Sequence, residues 1–173
     1  MNTQSPKIIG MTNAFDLNKL IQSDEIKNLT IEILLFVNHQ FETKERTSLE
    51  KQKFRIEDFL NFSKRNKESL YSNSKLYRDL IISSNSRQLK IKNDFEYALI
   101  KIAKTTFPVH EVLKREGKTL YSFSSQSLLD FTIIVDKDEN RTYSIHLNHN
   151  FLNSIAKEEL FLETEKTISN RNL

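Results

Sequence analysis

Apolar residues recur at helical spacing in two stretches of the chain. The first stretch places four aliphatic residues on one helical face: Ile26, Leu29, Ile33 and Val37. Ser23 can cap a helix at its N-terminus, and Asp24 and Glu25 are favourable in a first turn. This pattern predicts a packed core helix over residues 23–41.

The second stretch predicts a helix over residues 94–106, with Asp94 as its N-cap. Pro108 prevents this helix from continuing. The apolar stripe of the helix is formed by Phe95, Ala98, Leu99, Ile102 and Ala103. Lys101 and Lys104 lie off the stripe, so both are expected to face solvent.

The pattern is weaker between these two helices. Residues 54–56 alternate like a short strand, and residues 57–62 follow as a short helix. A capping box at Thr47 and Glu50 could instead open one longer helix. Residues 74–82 are a further helical candidate.

Beyond Pro108 the period changes from helical to alternating. Two hairpins are predicted, from strands 109–114 and 118–124 and then from strands 128–135 and 141–147. In the last strand Tyr143, Ile145 and Leu147 share one face, and this alternation is typical of a half-buried antiparallel strand. A short helix over residues 150–156 is expected to follow.

Helices followed by hairpins predict an α+β fold rather than a parallel α/β sheet. We predict one domain over residues 23–158, preceded by a loosely ordered arm over residues 1–22. A polar tail over residues 159–173, helical at most at its start, is expected to follow.

The order helix, short strand, helix, helix and hairpin is that of a winged-helix domain. The run from Phe54 to Leu60 resembles the entry to the helix-turn-helix in plasmid replication initiators of the RepA/RepB/RepE kind. Residues 128–152 resemble the wing and exit of the first winged-helix domain of those initiators. The chain has room for one such domain where initiators carry two, and its residues 67–92 are longer than the usual turn. The resemblance supports a winged-helix fold more than a role in replication, and it implies binding to repeated origin DNA and dimerisation through this domain. A stand-alone copy could equally be a transcription regulator or a phage or plasmid accessory protein.

Composition narrows the classes of function. The chain has no cysteine, which excludes disulfides, thiolate metal sites and a cysteine nucleophile. It lacks both an apolar run long enough to span a bilayer and the pattern of a secretory signal, so a cytoplasmic location is expected. Its only glycines are Gly10 and Gly117, which leaves no phosphate-binding loop or nucleophile elbow. We therefore expect no enzymatic activity, no cofactor and no small-molecule substrate.

Basic residues concentrate in the middle of the chain. Residues 44–118 carry eighteen Lys and Arg against ten Asp and Glu, whereas the segments on either side are mildly acidic. Basic clusters attract phosphate backbones through counterion release, although a solvated lysine-rich surface has the same composition. The residues predicted to contact DNA are Arg78, Arg87, Lys90, Lys92, Tyr97, Lys101, Lys104, Lys114, Arg115 and Lys118, with Glu96 also expected on the exposed face of the helix.

Three other patterns favour structural interpretations. Residues 136–140 begin like a calcium loop, but Arg141 and Leu147 occupy the positions that require Gly and Glu. His146 and His149 are spaced like metal ligands without a third ligand nearby in sequence. Aromatic residues interleaved with cations could stack on single-stranded bases, but core packing is the simpler interpretation for Phe54, Phe59, Phe62, Tyr71 and Tyr77.

The sequence therefore predicts a winged-helix protein that binds double-stranded DNA as a homodimer. The rival hypothesis is a protein-interaction or self-association module on the same scaffold, in which a hairpin edge and the 23–41 helix make the contacts.

Overall fold

The computed structural model describes residues 7–8, 26–43, 53–148, 150–151 and 159–171, and these form an α+β fold with antiparallel sheets. The helices are α1 (Lys27–Thr43), α2 (Ile56–Ser63), α3 (Asp94–Lys104) and α4 (Glu159–Asn170), with 3₁₀ turns at Lys67–Tyr71 and Ser74–Leu76. The strands are β1 (Lys7–Ile8), β2 (Lys53–Phe54), β3 (Ile81–Ser84), β4 (Arg87–Lys90), β5 (Thr106–Arg115), β6 (Lys118–Ser127), β7 (Leu129–Val135) and β8 (Arg141–Leu147). In the described part of the chain, no helix has the length and apolarity that crossing a membrane requires.

Helix α1 lies at the centre of the core and is buried around its whole circumference from Leu29 to Val37. The predicted apolar face is confirmed, but Thr30 and Glu32 are buried as well. Glu32 is 0% exposed and pairs with the guanidinium groups of Arg65 and Arg171. A buried carboxylate is tolerated here because cationic hydrogen-bond donors satisfy it.

Helix α4 packs against one side of α1, whereas the sequence predicted a polar tail for these residues. Phe161, Thr164 and Ile168 are buried at helical spacing and form its inner face. Arg171 then donates hydrogen bonds to Glu32 and, at 2.6 Å, to the carbonyl of Ser63. The sequence prediction for residues 159–173 missed this packing because the apolar stripe is narrow and the other positions are polar.

The sheet β2-β8-β7 packs against α1 and α3 through aromatic side chains. Phe54 lies 4.9 Å from Phe36, 6.1 Å from Phe95 and 5.8 Å from Tyr143, measured between ring centroids. The short strand predicted around Phe54 is confirmed, since β2 pairs antiparallel with β8. The β7–β8 hairpin is confirmed with nearly the predicted bounds.

The sheet β1-β5-β6 is dominated by a hairpin of two ten-residue strands in continuous register. Its two-residue turn holds Glu116 at φ 52° and Gly117 at φ 70°. Positive φ at both central residues is the backbone of a type I′ turn, which matches the twist of the flanking strands. The hairpin is confirmed, and both of its strands are longer than predicted.

Two local predictions are wrong. Residues 74–82 do not form a helix; a 3₁₀ turn at Ser74–Leu76 leads into the β3–β4 hairpin, because Asn85 and Ser86 adopt positive φ and close a tight turn. The N-cap of α3 is Asn93, whose side chain accepts a hydrogen bond from the Glu96 amide at 2.9 Å. Asp94 instead occupies the first helical position.

Several predictions fall wholly or largely outside the described residues. They are the arm over residues 1–22, the cap at Ser23, the capping box at Thr47 and Glu50, most of the 150–156 helix, and His149.

Candidate nucleic-acid interface

All nine cations in the predicted contact set are exposed, as a phosphate-binding surface requires. Within the described ranges, Lys92 alone among them pairs with a carboxylate, at 3.7 Å from Glu139, and its side chain remains 47% exposed. Lys101 also lies over the ring of Tyr97, at 5.5 Å from the ring centroid. The nine cations are Arg78, Arg87, Lys90, Lys92, Lys101, Lys104, Lys114, Arg115 and Lys118.

The prediction that Tyr97 and Glu96 face solvent is wrong. Tyr97 is 8% exposed and Glu96 is 0% exposed. Every residue of α3 from Asp94 to Ile100 is buried, so only the last turn presents cations to solvent, at Lys101 and Lys104. The first two turns of α3 cannot reach the edges of DNA bases in this conformation.

The segment between α2 and α3 encloses the start of α3. Tyr77 donates a hydrogen bond of 2.8 Å to Asp94, and its ring lies 5.9 Å from that of Tyr97. Asn73 donates two more bonds to Asp94, from its backbone amide and its side chain. Burial and the neighbouring Asp94 carboxylate raise the pKa of the Tyr77 hydroxyl above its ordinary value. The prediction missed this burial because the covering residues are distant in sequence.

A second buried carboxylate joins α3 to the β7–β8 hairpin. Glu96 accepts hydrogen bonds from the Arg141 guanidinium at 2.8 Å, the Tyr143 hydroxyl at 2.7 Å and the Lys92 amide at 2.9 Å. Burial, followed by the Glu96 charge, raises the pKa of Tyr143 above its ordinary value. Arg141 also donates to the carbonyl of Lys90, which holds the end of β4 beside the same network.

The exposed cations occupy three separate parts of the molecule. Arg78, Arg87, Lys90 and Lys92 lie between the second 3₁₀ turn and the start of α3. Lys101 and Lys104 lie at the other end of α3. The eleven residues of this helix separate its two ends by roughly 15 Å. The third group surrounds the β5–β6 turn and consists of Lys114, Arg115 and Lys118. This turn lies at the far end of the ten-residue strand β5, roughly 30 Å from the start of that strand.

The turn of the β7–β8 hairpin is acidic, unlike these three groups. Asp136 accepts hydrogen bonds from the backbone amide and side chain of Asn140 and from the amide of Asp138, and these bonds lower the pKa of its carboxyl. With Glu139 on the same turn, this tip does not favour a phosphate backbone. Among the described residues no three His, Asp or Glu side chains cluster to hold a metal ion.

A group of exposed aromatic side chains on β6 was not predicted. Tyr121 is 65% exposed and Phe123 is 76% exposed, and His110 of β5 stacks on Phe123 with 4.3 Å between ring centroids. The available signal was their spacing of two residues among serines, which places both on one face of the strand. Of the aromatic residues that the sequence singled out, Phe59 and Tyr77 are buried, Phe54 and Phe62 are partly buried, and Tyr71 is 46% exposed.

Comparisons with known proteins provide no relative from which to transfer a role. No protein-family model matches the chain, and no significant match was found among curated proteins or solved structures.

Proposed function

We propose that this chain is a winged-helix DNA-binding protein that holds duplex DNA mainly through its phosphate backbone. Apart from the hairpins β3–β4 and β5–β6, which interrupt it, the order α1, β2, α2, α3, β7, β8, with β2 added to the edge of β8, supports the winged-helix assignment. The resemblance to plasmid replication initiators supports an initiator-like or regulatory role.

One observation carries the proposal: nine predicted cations are exposed, and eight of them have no carboxylate partner among the described residues. Unpaired Lys and Arg side chains bind phosphates with release of counterions. Since the start of α3 is buried, this geometry favours backbone contacts over base readout. We therefore expect weak dependence on DNA sequence and strong dependence on salt.

A titration of a duplex of about two helical turns across salt concentrations tests the proposal. The logarithm of the binding constant should fall linearly with the logarithm of salt concentration. Neutralising the hairpin tip with Lys114→Gln, Arg115→Gln and Lys118→Gln should reduce the slope by up to about 3. The matched control neutralises Lys137 and Lys166, two exposed cations outside the predicted set, and should leave the slope unchanged. Absence of binding at low salt would reject the proposal.

A protein-interaction module is the second candidate function, favoured by the exposed aromatic side chains of β6 and by the separation of the exposed cations into three groups. The rival hypothesis also assigned contacts to the first helix, but α1 is buried between Leu29 and Val37 and cannot make them. A stable oligomer without DNA affinity would favour this candidate over the first.

A further inference from the structure

Strand β6 is an open sheet edge with unusual composition. It pairs with β5 on one side, and among the described residues no strand pairs with its other side. Residues 119–127 contain no charge and no proline, and the register with β5 runs through ten pairs without a bulge. Charges, prolines and bulges are the features by which proteins block edge-to-edge pairing. This edge has none of them along those nine residues.

Three apolar side chains on this edge are exposed. Leu120 is 47% exposed, Tyr121 65% and Phe123 76%. Two other edge strands differ, since β4 carries Arg87 and Lys90 and β7 carries Asp130. Strand β3 also lacks charge, but it has only four residues. Exposed apolar side chains beside unpaired backbone groups are stabilised when another strand covers them.

We propose that β6 pairs antiparallel with β6 of a second copy of this chain, about a two-fold axis at Ser122. In a two-fold symmetric antiparallel pair, the numbers of any two residues that face each other add to the same sum. With the axis at Ser122, Tyr121 of each copy faces Phe123 of the other, which gives two aromatic cross-strand pairs. Lys118 then faces an uncharged residue, Gln126, so no like charges oppose each other along the pair.

A second copy fits this edge better than a nucleic-acid strand does. The nine residues 119–127 are uncharged, so the edge has no side-chain cation to bind a phosphate backbone. The two aromatic pairs would bury apolar area that is exposed in the single chain, which contributes to the roughly 1,200–2,000 Å² of a specific interface. The pairing does not depend on DNA binding, and either proposal can fail without the other.

The first test measures association of the whole chain by sedimentation equilibrium without DNA. We expect a dimer with a dissociation constant in the micromolar range or tighter. The double variant Tyr121→Ser, Phe123→Ser should raise that constant at least about tenfold, because each change occurs twice in a symmetric interface. Leu162→Ser, which removes an exposed apolar side chain of α4, is the matched control and should leave association unchanged. Unfolding curves of all variants verify that each is folded.

The absence of cysteine allows a second test of the geometry. Ser122→Cys should form a disulfide-linked dimer on mild oxidation, because Cα atoms of opposed residues lie about 4.5–5.5 Å apart, within disulfide range. Ser125→Cys, which would face Thr119 and not itself, should cross-link far less. Three results would overturn the proposal. The chain could remain a monomer throughout the micromolar range, the double variant could leave the dimer intact, or Ser125→Cys could cross-link more than Ser122→Cys. A monomer whose binding to oligo-dT depends on Tyr121 and Phe123 would overturn it as well, and would make single-stranded DNA the occupant.

Discussion

The hairpins β5–β6 and β7–β8 have similar alternating sequences but very different relations to the core. In β8, Tyr143, Ile145 and Leu147 are buried against the helices. No residue of β6 is buried, and its two aromatic side chains face solvent. The β5–β6 hairpin is attached to the core mainly at its start, through Phe107 and Val109.

The difference shows that an apolar alternation specifies a strand without specifying what its apolar face contacts. The β7–β8 hairpin is fixed by the Glu96 network and by the aromatic cluster around Phe54. The β5–β6 hairpin extends away from that support, which leaves its outer strand available to a partner. Changes at the β7–β8 hairpin should therefore alter stability, and changes at the β5–β6 hairpin should alter association.

The largest expected effect comes from Glu96→Ala, which leaves the Arg141 guanidinium, whose side chain is only 10% exposed, without its carboxylate partner. We expect the free energy of unfolding in urea to fall by about 3–5 kcal/mol. The matched change in the exposed β5–β6 turn, Glu116→Ala, should lower the free energy of unfolding by less than about 0.5 kcal/mol. Equal losses for the two variants would contradict the comparison.

Tyr143→Phe removes only the hydroxyl that donates to Glu96 at 2.7 Å. The acceptor is charged and buried, so the loss should be about 1–3 kcal/mol. Tyr121→Phe, in the exposed strand, should leave the free energy of unfolding unchanged. Both values are read from the same urea titration, and a loss at Tyr121 would show that β6 is held more firmly than its exposure indicates.

Alkaline pH should destabilise the protein through Tyr77 and Tyr143. Both hydroxyls have a pKa raised above the ordinary value of 10.0 in the folded state, so the folded protein keeps protons that the unfolded chain loses. Stability is therefore intact below about pH 10 and falls as pH rises above it, by at most about 1.4 kcal/mol per pH unit for each group. The double variant Tyr77→Phe, Tyr143→Phe should show a flatter decline between about pH 9.5 and 11. A decline equal to that of the unmodified protein would show that other groups cause it.

The smallest expected effect comes from Glu116→Asn at the β5–β6 turn. Glu116 has φ 52°, a conformation that Asn adopts more readily than Glu. Protection of the hairpin amides from hydrogen exchange should increase by up to about 1 kcal/mol. The free energy of global unfolding should change less than the local protection of the hairpin, because the turn lies far from the core. An equal change in both quantities would show that the hairpin unfolds only together with the whole domain.

Much of the fold could be predicted from particular residues. The apolar stripes of α1 and α3 depend on a few neighbouring residues, and both were confirmed. The change from helix to strand occurs earlier than predicted, since α3 ends at Lys104 and Pro108 lies inside β5. Tyr143, Ile145 and Leu147 of β8 are buried as predicted, but Ser144 is buried as well. The β3–β4 hairpin was missed because residues 74–82 have an apolar spacing that also fits a helix. The exposed cations of the candidate interface were predicted from charge, but the burial of Tyr97 was not.

The sequence by itself determined the element types, the absence of thiol chemistry and the basic middle of the chain, because these depend on local spacing and composition. Only the tertiary structure decided that Tyr77 and Asn73 cover the start of α3. It also decided that α4 packs on the core, with Arg171 bonded to Ser63, and that the side chains of β6 remain exposed. The physical reason is that burial is set by groups distant in sequence, and a local pattern carries no record of which distant groups those are.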